Sequence, residues 1–190
     1  MCRYVYPSEL KTFGSIQNRQ EAFSSRGWIG QTLFSNYTVA SRLPLHPSAG
    51  NDPYEDFDSS TLRKGSTWNA AYSFVHGGIH PALSFLTPYP SHIKHIGRSL
   101  VRKLTDRSPL PPPHPPAPYP GLPSTVTRQE IELYDVNGPV WFRGWAMDPE
   151  TPEFCEAARI TMDQMGVRRM IMGHTLDLEV SRITIVRHCP

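Results

Sequence analysis

Nine of the fifteen residues from Pro109 to Pro123 are proline, and this stretch constrains the fold more than any other. Proline lacks the amide donor that helices and inner strands require, so no regular element can run through it. Polyproline II is the expected state, and 109–123 reads as a proline-rich linker or insertion within one domain. Such a run can dock an SH3- or WW-type partner through an aromatic-lined groove, or act as a spacer. The 190 residues, 38% apolar and 19% charged, are enough for a globular domain with a hydrophobic core. Residues 1–190 are read as a single domain.

Other broad features narrow the function classes. The net charge is +2 and Lys and Arg are scattered, so nucleic acid is not an expected partner. No run approaches the roughly 20 apolar residues of a membrane span. Met1 to Lys11 carries Arg3, Glu9 and Lys11, which does not suit a signal peptide, so the location expected of the chain as given is cytoplasmic. Cys2, Cys155 and Cys189 are widely spaced, which favours free thiols in a reducing compartment.

A helical pattern runs from Pro7 to Phe34, with Gly14 and Gly27 dividing it into two short helices. Residues 37–43 read as a strand ending at Pro44. Residues 46–67, rich in Ser, Asp, Pro and Gly, read as an exposed loop. Residues 70–75 form a short apolar strand, and 91–104 an amphipathic helix with Ile93, Ile96, Leu100 and Leu104 on one face. Val140, Trp141 and Phe142 make a compact apolar element. A helix over 151–165 stops at Gly166, a strand covers 168–172, and another covers 183–186.

Two words carry chemistry. Phe74-Val75-His76-Gly77-Gly78 and Met170-Ile171-Met172-Gly173-His174-Thr175 each place a histidine just after an apolar strand and beside glycine. A strand end holds an imidazole rigidly, and glycine lets backbone or ion approach without a Cβ clash. Neutral imidazole ligates zinc, iron or manganese-type ions. One such histidine alone is ordinarily a surface or hydrogen-bonded residue; two on separate apolar strands favour a shared cation. His76 and His174 are the candidate metal ligands, and Gly77, Gly78 and Gly173 the motif glycines.

The order HGGxxP, then Trp-Phe-Arg-Gly, then a strand ending in Gly-His-Thr resembles the Shewanella-like protein phosphatases, fungal type, of the calcineurin-like metallophosphoesterase superfamily. Lys11 to Gly14, Gly27 to Gly30, Asn36 to Val39 and Gly138 to Gly144 extend the resemblance, which runs from about Arg3 to Thr175. It implies an α/β (α+β) fold, part of a two-layer β-sandwich flanked by helices, and incomplete here. It also implies a phosphorylated substrate and, in the complete family site, two divalent ions (Mn, Fe or Zn). Carried over by position, His76 and His174 match ligands of the second ion. Arg143 matches a phosphate-contacting position, since a guanidinium can clamp phosphate by two hydrogen bonds. A solvent-exposed arginine after a tryptophan-containing strand is the other reading of Arg143.

The GDxHG, GDxxDRG and GNHE words of that family, which supply most of its ligands, do not occur in this sequence. Two histidines without a carboxylate hold a divalent ion weakly. The expectation is therefore a metal-dependent phosphoester hydrolase by descent that is catalytically incomplete as given, with at most one weakly bound ion and no catalytic residue assigned. The alternative is a non-catalytic remnant or interaction protein, binding partners through the proline-rich segment or exposed strand edges.

Overall fold

The computed structural model describes residues 7–46, 56–57, 70–106, 122–175 and 184–187. The expected proline-rich segment 109–123 lies almost wholly outside them, as does most of the 46–67 loop. Two compact units emerge, one from Met1–Tyr37 with Arg98–Val126, the other from Thr38–Gly97 with Thr127–Pro190.

In the first unit, three short helices follow one another: α1 (Pro7–Phe13), α2 (Ile16–Phe23) and α3 (Trp28–Asn36). The helical span is thus cut into three pieces rather than two. Ser15 caps α2 by accepting from the Asn18 amide, a local bond that starts a new helix after the break at Gly14. Phe13 and Phe23 meet as tilted rings 6.2 Å apart between centroids, and Arg19 pairs with Glu9 at 2.6 Å, tying α1 to α2.

The second unit is built on a mixed sheet of four strands: β1 (Ala40–Pro44), β2 (Ala71–Val75), β3 (Arg169–Met172) and β4 (Thr184–Arg187), in the order β1-β2-β3-β4. β1/β2 and β3/β4 are antiparallel, whereas β2/β3 are parallel. This unit also holds α5 (Arg128–Tyr134), α6 (Gly144–Met147) and α7 (Pro152–Met165), while α4 (Ser91–Thr105) belongs to it up to Gly97 and to the first unit from Arg98. Helices with a mixed sheet make this an α/β architecture at the coarse level expected; the described strands form one sheet. Among the described residues, no helix is long and apolar enough to cross a membrane.

Period-2 alternation decides which sheet face is the core. Ala40 and Arg42, Ala71, Ser73 and Val75, and Met170 and Met172 are buried together. Ala158, Thr161, Met162 and Met165 of α7 are buried too, at the three- and four-residue spacing of one helix face. α7 ends as anticipated: Gly166 adopts the left-handed conformation, φ 62°, and caps the last carbonyls. Ile93, Ile96 and Leu100 are the buried stripe of α4. On the opposite face of the sheet Leu43 and Phe74 stay exposed.

Three features were not anticipated. α5 begins with a reciprocal capping box between Thr127 and Glu130. Within 46–67, Asp56 accepts from the Ser91 amide and hydroxyl at 2.8 and 2.6 Å, and Phe57 bridges to Tyr89, so this pair is anchored to the fold. Cys155, expected as a free thiol, is in a disulfide; spacing along the chain does not report which cysteines fold close enough to bond.

Candidate functional site

Parallel pairing of β2 with β3, in register Ser73↔Met170 and Phe74↔Ile171, brings both strands out at the same end of the sheet. His76 follows β2 directly and His174 lies two residues beyond β3, so the two words meet where the strands end. The main chain locks the meeting: the amides of Gly173 and His174 both donate to the His76 carbonyl, at 3.0 and 2.8 Å. The rings then lie 4.7 Å apart between centroids, with His174 Nδ1 2.9 Å from His76 Nε2. His76 is exposed and His174 half-buried.

The turn after β2 is shaped by glycine for two different reasons. The Gly77 amide donates to the Pro139 carbonyl at 2.7 Å, and a Cβ at Gly77 would sit 2.9 Å from the Val140 carbonyl carbon and 3.0 Å from Phe142 backbone atoms. Gly78 instead needs φ +131°, outside the range of ordinary side chains, and a Cβ there would meet Met172 Sδ at 2.7 Å. Gly173 differs from both, since nothing lies within 4 Å of a Cβ built there. The protein's own packing thus accounts for Gly77 and Gly78 and leaves Gly173 unconstrained.

The 138–145 segment closes the other side. Trp145 is buried and its indole N–H donates to the Ile79 carbonyl at 2.6 Å. Trp141, in the turn that Gly77 grips, is 41% exposed and stands nearly perpendicular to His174, at 82° and 5.6 Å between centroids. Arg143 is exposed. Burial holds the His174 imidazole below its ordinary pKa, and the Arg143 guanidinium and then His76 push it further in the same direction. The three residues singled out in the sequence therefore act on one another: the histidines by contact, Arg143 through its charge.

These donors fit one cation in part. Two imidazole nitrogens 2.9 Å apart are a hydrogen-bonded pair within a few tenths of an ångström of the roughly 3.3 Å between neighbouring ligands of a tetrahedral ion with bonds of about 2.0–2.1 Å. The lowered pKa of His174 favours the neutral ring, the form that ligates. Among the described residues, however, no third His, Cys, Asp or Glu joins them. Two nitrogens make a corner of a coordination shell and leave the rest of it to other donors. In the sequence Trp141 reads as part of an apolar element and of the Trp-Phe-Arg-Gly word, and nothing local places it beside His174. His80 and His92 are engaged elsewhere, His80 Nδ1 accepting from the Ala82 amide and His92 Nδ1 lying 3.0 Å from the Thr87 carbonyl.

The chain is similar to "Uncharacterized protein C1840.07c" of Schizosaccharomyces pombe, at 25% identity over 175 residues, or 91% of this chain and 40% of that protein. It thus spans about 40% of the length of the curated relative it matches. No family profile matches the chain, and no solved structure does.

Proposed function

We propose that the chain carries the two-histidine corner of a phosphoester-hydrolase metal site of the calcineurin-like kind, and that alone it binds a single divalent cation without turning over. The observation that supports this most is the 2.9 Å approach of His174 Nδ1 to His76 Nε2 at the shared end of two parallel strands. Open sheets of this type place ligands just beyond the carboxyl ends of their strands. The resemblance extends the reading to a two-layer sandwich, whose second layer would lie against the face exposing Leu43 and Phe74.

A bound divalent ion supplies Lewis-acid stabilisation of phosphoryl charge and activates water. The chain's own residues supply position. His76 and His174 would hold the ion through ring nitrogens positioned by the paired strands, while Arg143 would offer a fork of donors to phosphate oxygens. A general acid and a bridging carboxylate are not among the residues assigned here, which is why turnover is not expected.

Isothermal titration of the purified chain with Zn²⁺ and Mn²⁺ tests the reading. One ion per chain should bind, and binding should be lost in both His76→Ala and His174→Ala. Affinity that survives both substitutions would falsify the assignment. Metal-dependent hydrolysis of an aryl phosphate, abolished by His76→Ala, would instead overturn the claim that the chain is incomplete.

A further inference from the structure

His174 leaves one polar atom without a hydrogen-bond partner among the described residues. It is Nε2, which solvent does not reach although the residue as a whole is only half-buried. Nδ1 already faces His76 at 2.9 Å, and the two nitrogens of an imidazole point away from each other, so Nε2 looks to the far side. The aromatic neighbour besides His76 is Trp141, at 5.6 Å and 82°. A perpendicular approach at this spacing brings the edge of one ring to the π face of the other, a geometry open to an N–H···π contact.

The proton on His174 can occupy either nitrogen. On Nδ1 it would leave a bare, desolvated lone pair at Nε2, and a buried acceptor without a donor is destabilising. The perpendicular indole of Trp141 is the neighbour that an N–H on Nε2 can use. We propose that Trp141 is a positioning residue for His174, its π face receiving Nε2–H and so leaving the Nδ1 lone pair aimed at the spot shared with His76. Ligating histidines ordinarily gain this control by donating the second N–H to a carboxylate, carbonyl or water; an aromatic ring takes that place here. Without a cation, His76 Nε2–H then donates to His174 Nδ1. The consequence for metal binding rests on the cation-corner reading; the tautomer does not.

Long-range proton–nitrogen NMR spectra of the ¹⁵N-labelled full chain, at mildly alkaline pH, read the tautomer directly. Wild type should carry the His174 proton on Nε2, and Trp141→Phe should keep it there. Trp141→Leu should populate both tautomers and weaken Zn²⁺ binding by roughly tenfold or more. A wild-type proton on Nδ1 overturns the proposal whatever the variants do, and so does a tautomer that Trp141→Leu leaves unaltered. If Zn²⁺ does not bind wild type yet Trp141→Leu shifts the tautomer, the positioning role stands and the cation reading fails. If wild type binds Zn²⁺ but Trp141→Leu leaves the tautomer unchanged, the cation reading stands and the positioning role fails.

Discussion

His174 is tied to His76 twice, once through the main chain, where its amide donates to the His76 carbonyl at 2.8 Å, and once through the rings, where Nδ1 and Nε2 stand 2.9 Å apart. The first bond belongs to the fold and persists when either ring is cut back. The second belongs to the site. Substituting either imidazole should therefore test chemistry without dismantling the end of the sheet that presents it.

The glycines of the two words should respond unequally to alanine. At Gly77 the new methyl meets backbone atoms of Val140 and Phe142 at 2.9–3.0 Å, and backbone cannot swing aside as a side chain does. Overpacking of this kind costs about 1–3 kcal/mol, and Gly77→Ala should also weaken metal binding because the turn carries His76. At Gly173 the methyl meets nothing within 4 Å, so Gly173→Ala should change stability by less than about 0.5 kcal/mol. Urea unfolding of the two variants decides; equal losses would contradict the steric account.

The Ser73 hydroxyl and Tyr89 hydroxyl hydrogen-bond to each other with both residues fully buried. Burial also holds the Tyr89 hydroxyl un-ionised well beyond the ordinary tyrosine range. Tyr89→Phe or Ser73→Ala alone leaves one buried group short of its partner, a loss of about 1–3 kcal/mol each. Removing both removes the mismatch, so the double variant should lose less than the sum, with a coupling of about 0.5–3 kcal/mol. Additive losses in denaturant unfolding would show that the two groups do not act as a pair.

Local signals were legible in the sequence and long-range ones were not. β-Branched and apolar runs placed β1 to β4 within one to three residues of their observed starts, and Gly166 marked the end of α7. The Thr127-x-x-Glu130 capping box was present in the sequence and went unread, because a seven-residue helix offers too little periodicity to draw notice. For the site, the strand-then-histidine words named both rings. Nothing local could say that β2 and β3 pair in parallel across 93 intervening residues, yet that pairing is what brings the histidines together. Trp141 was invisible for the same reason: its partner is set by the Gly77 to Pro139 hydrogen bond, a contact between distant segments.

Cys155 should resist alkylation until the protein is reduced. It is half-buried on α7 and disulfide-bonded, so the sulfur is covalently occupied rather than hidden. Iodoacetamide should leave the Cys155 peptide unmodified in the untreated chain and label it after dithiothreitol. Reduction should also lower the melting temperature, since the cross-link restricts the unfolded chain. Labelling before reduction would contradict the bond.

Acid should weaken the fold through His80. Its imidazole packs edge-on against Phe142 at 4.8 Å, Nδ1 accepts from the Ala82 amide, and burial holds its pKa below the ordinary 6.5. The folded state therefore binds fewer protons at this position than the unfolded state does. The resulting stability is fully present above the unfolded value and is lost as pH falls through the folded one. His174 contributes with the same sign, because burial, then Arg143, then His76 depress its pKa. Thermal melts of wild type should lose stability from mildly alkaline to mildly acidic pH, and His80→Gln, which cannot titrate, should lose less over the same interval. His80→Gln combined with His174→Gln should flatten the dependence further. A steeper acid loss in His80→Gln than in wild type would mean that the folded state favours the protonated ring, and the assignment of burial as the dominant influence on His80 would fall.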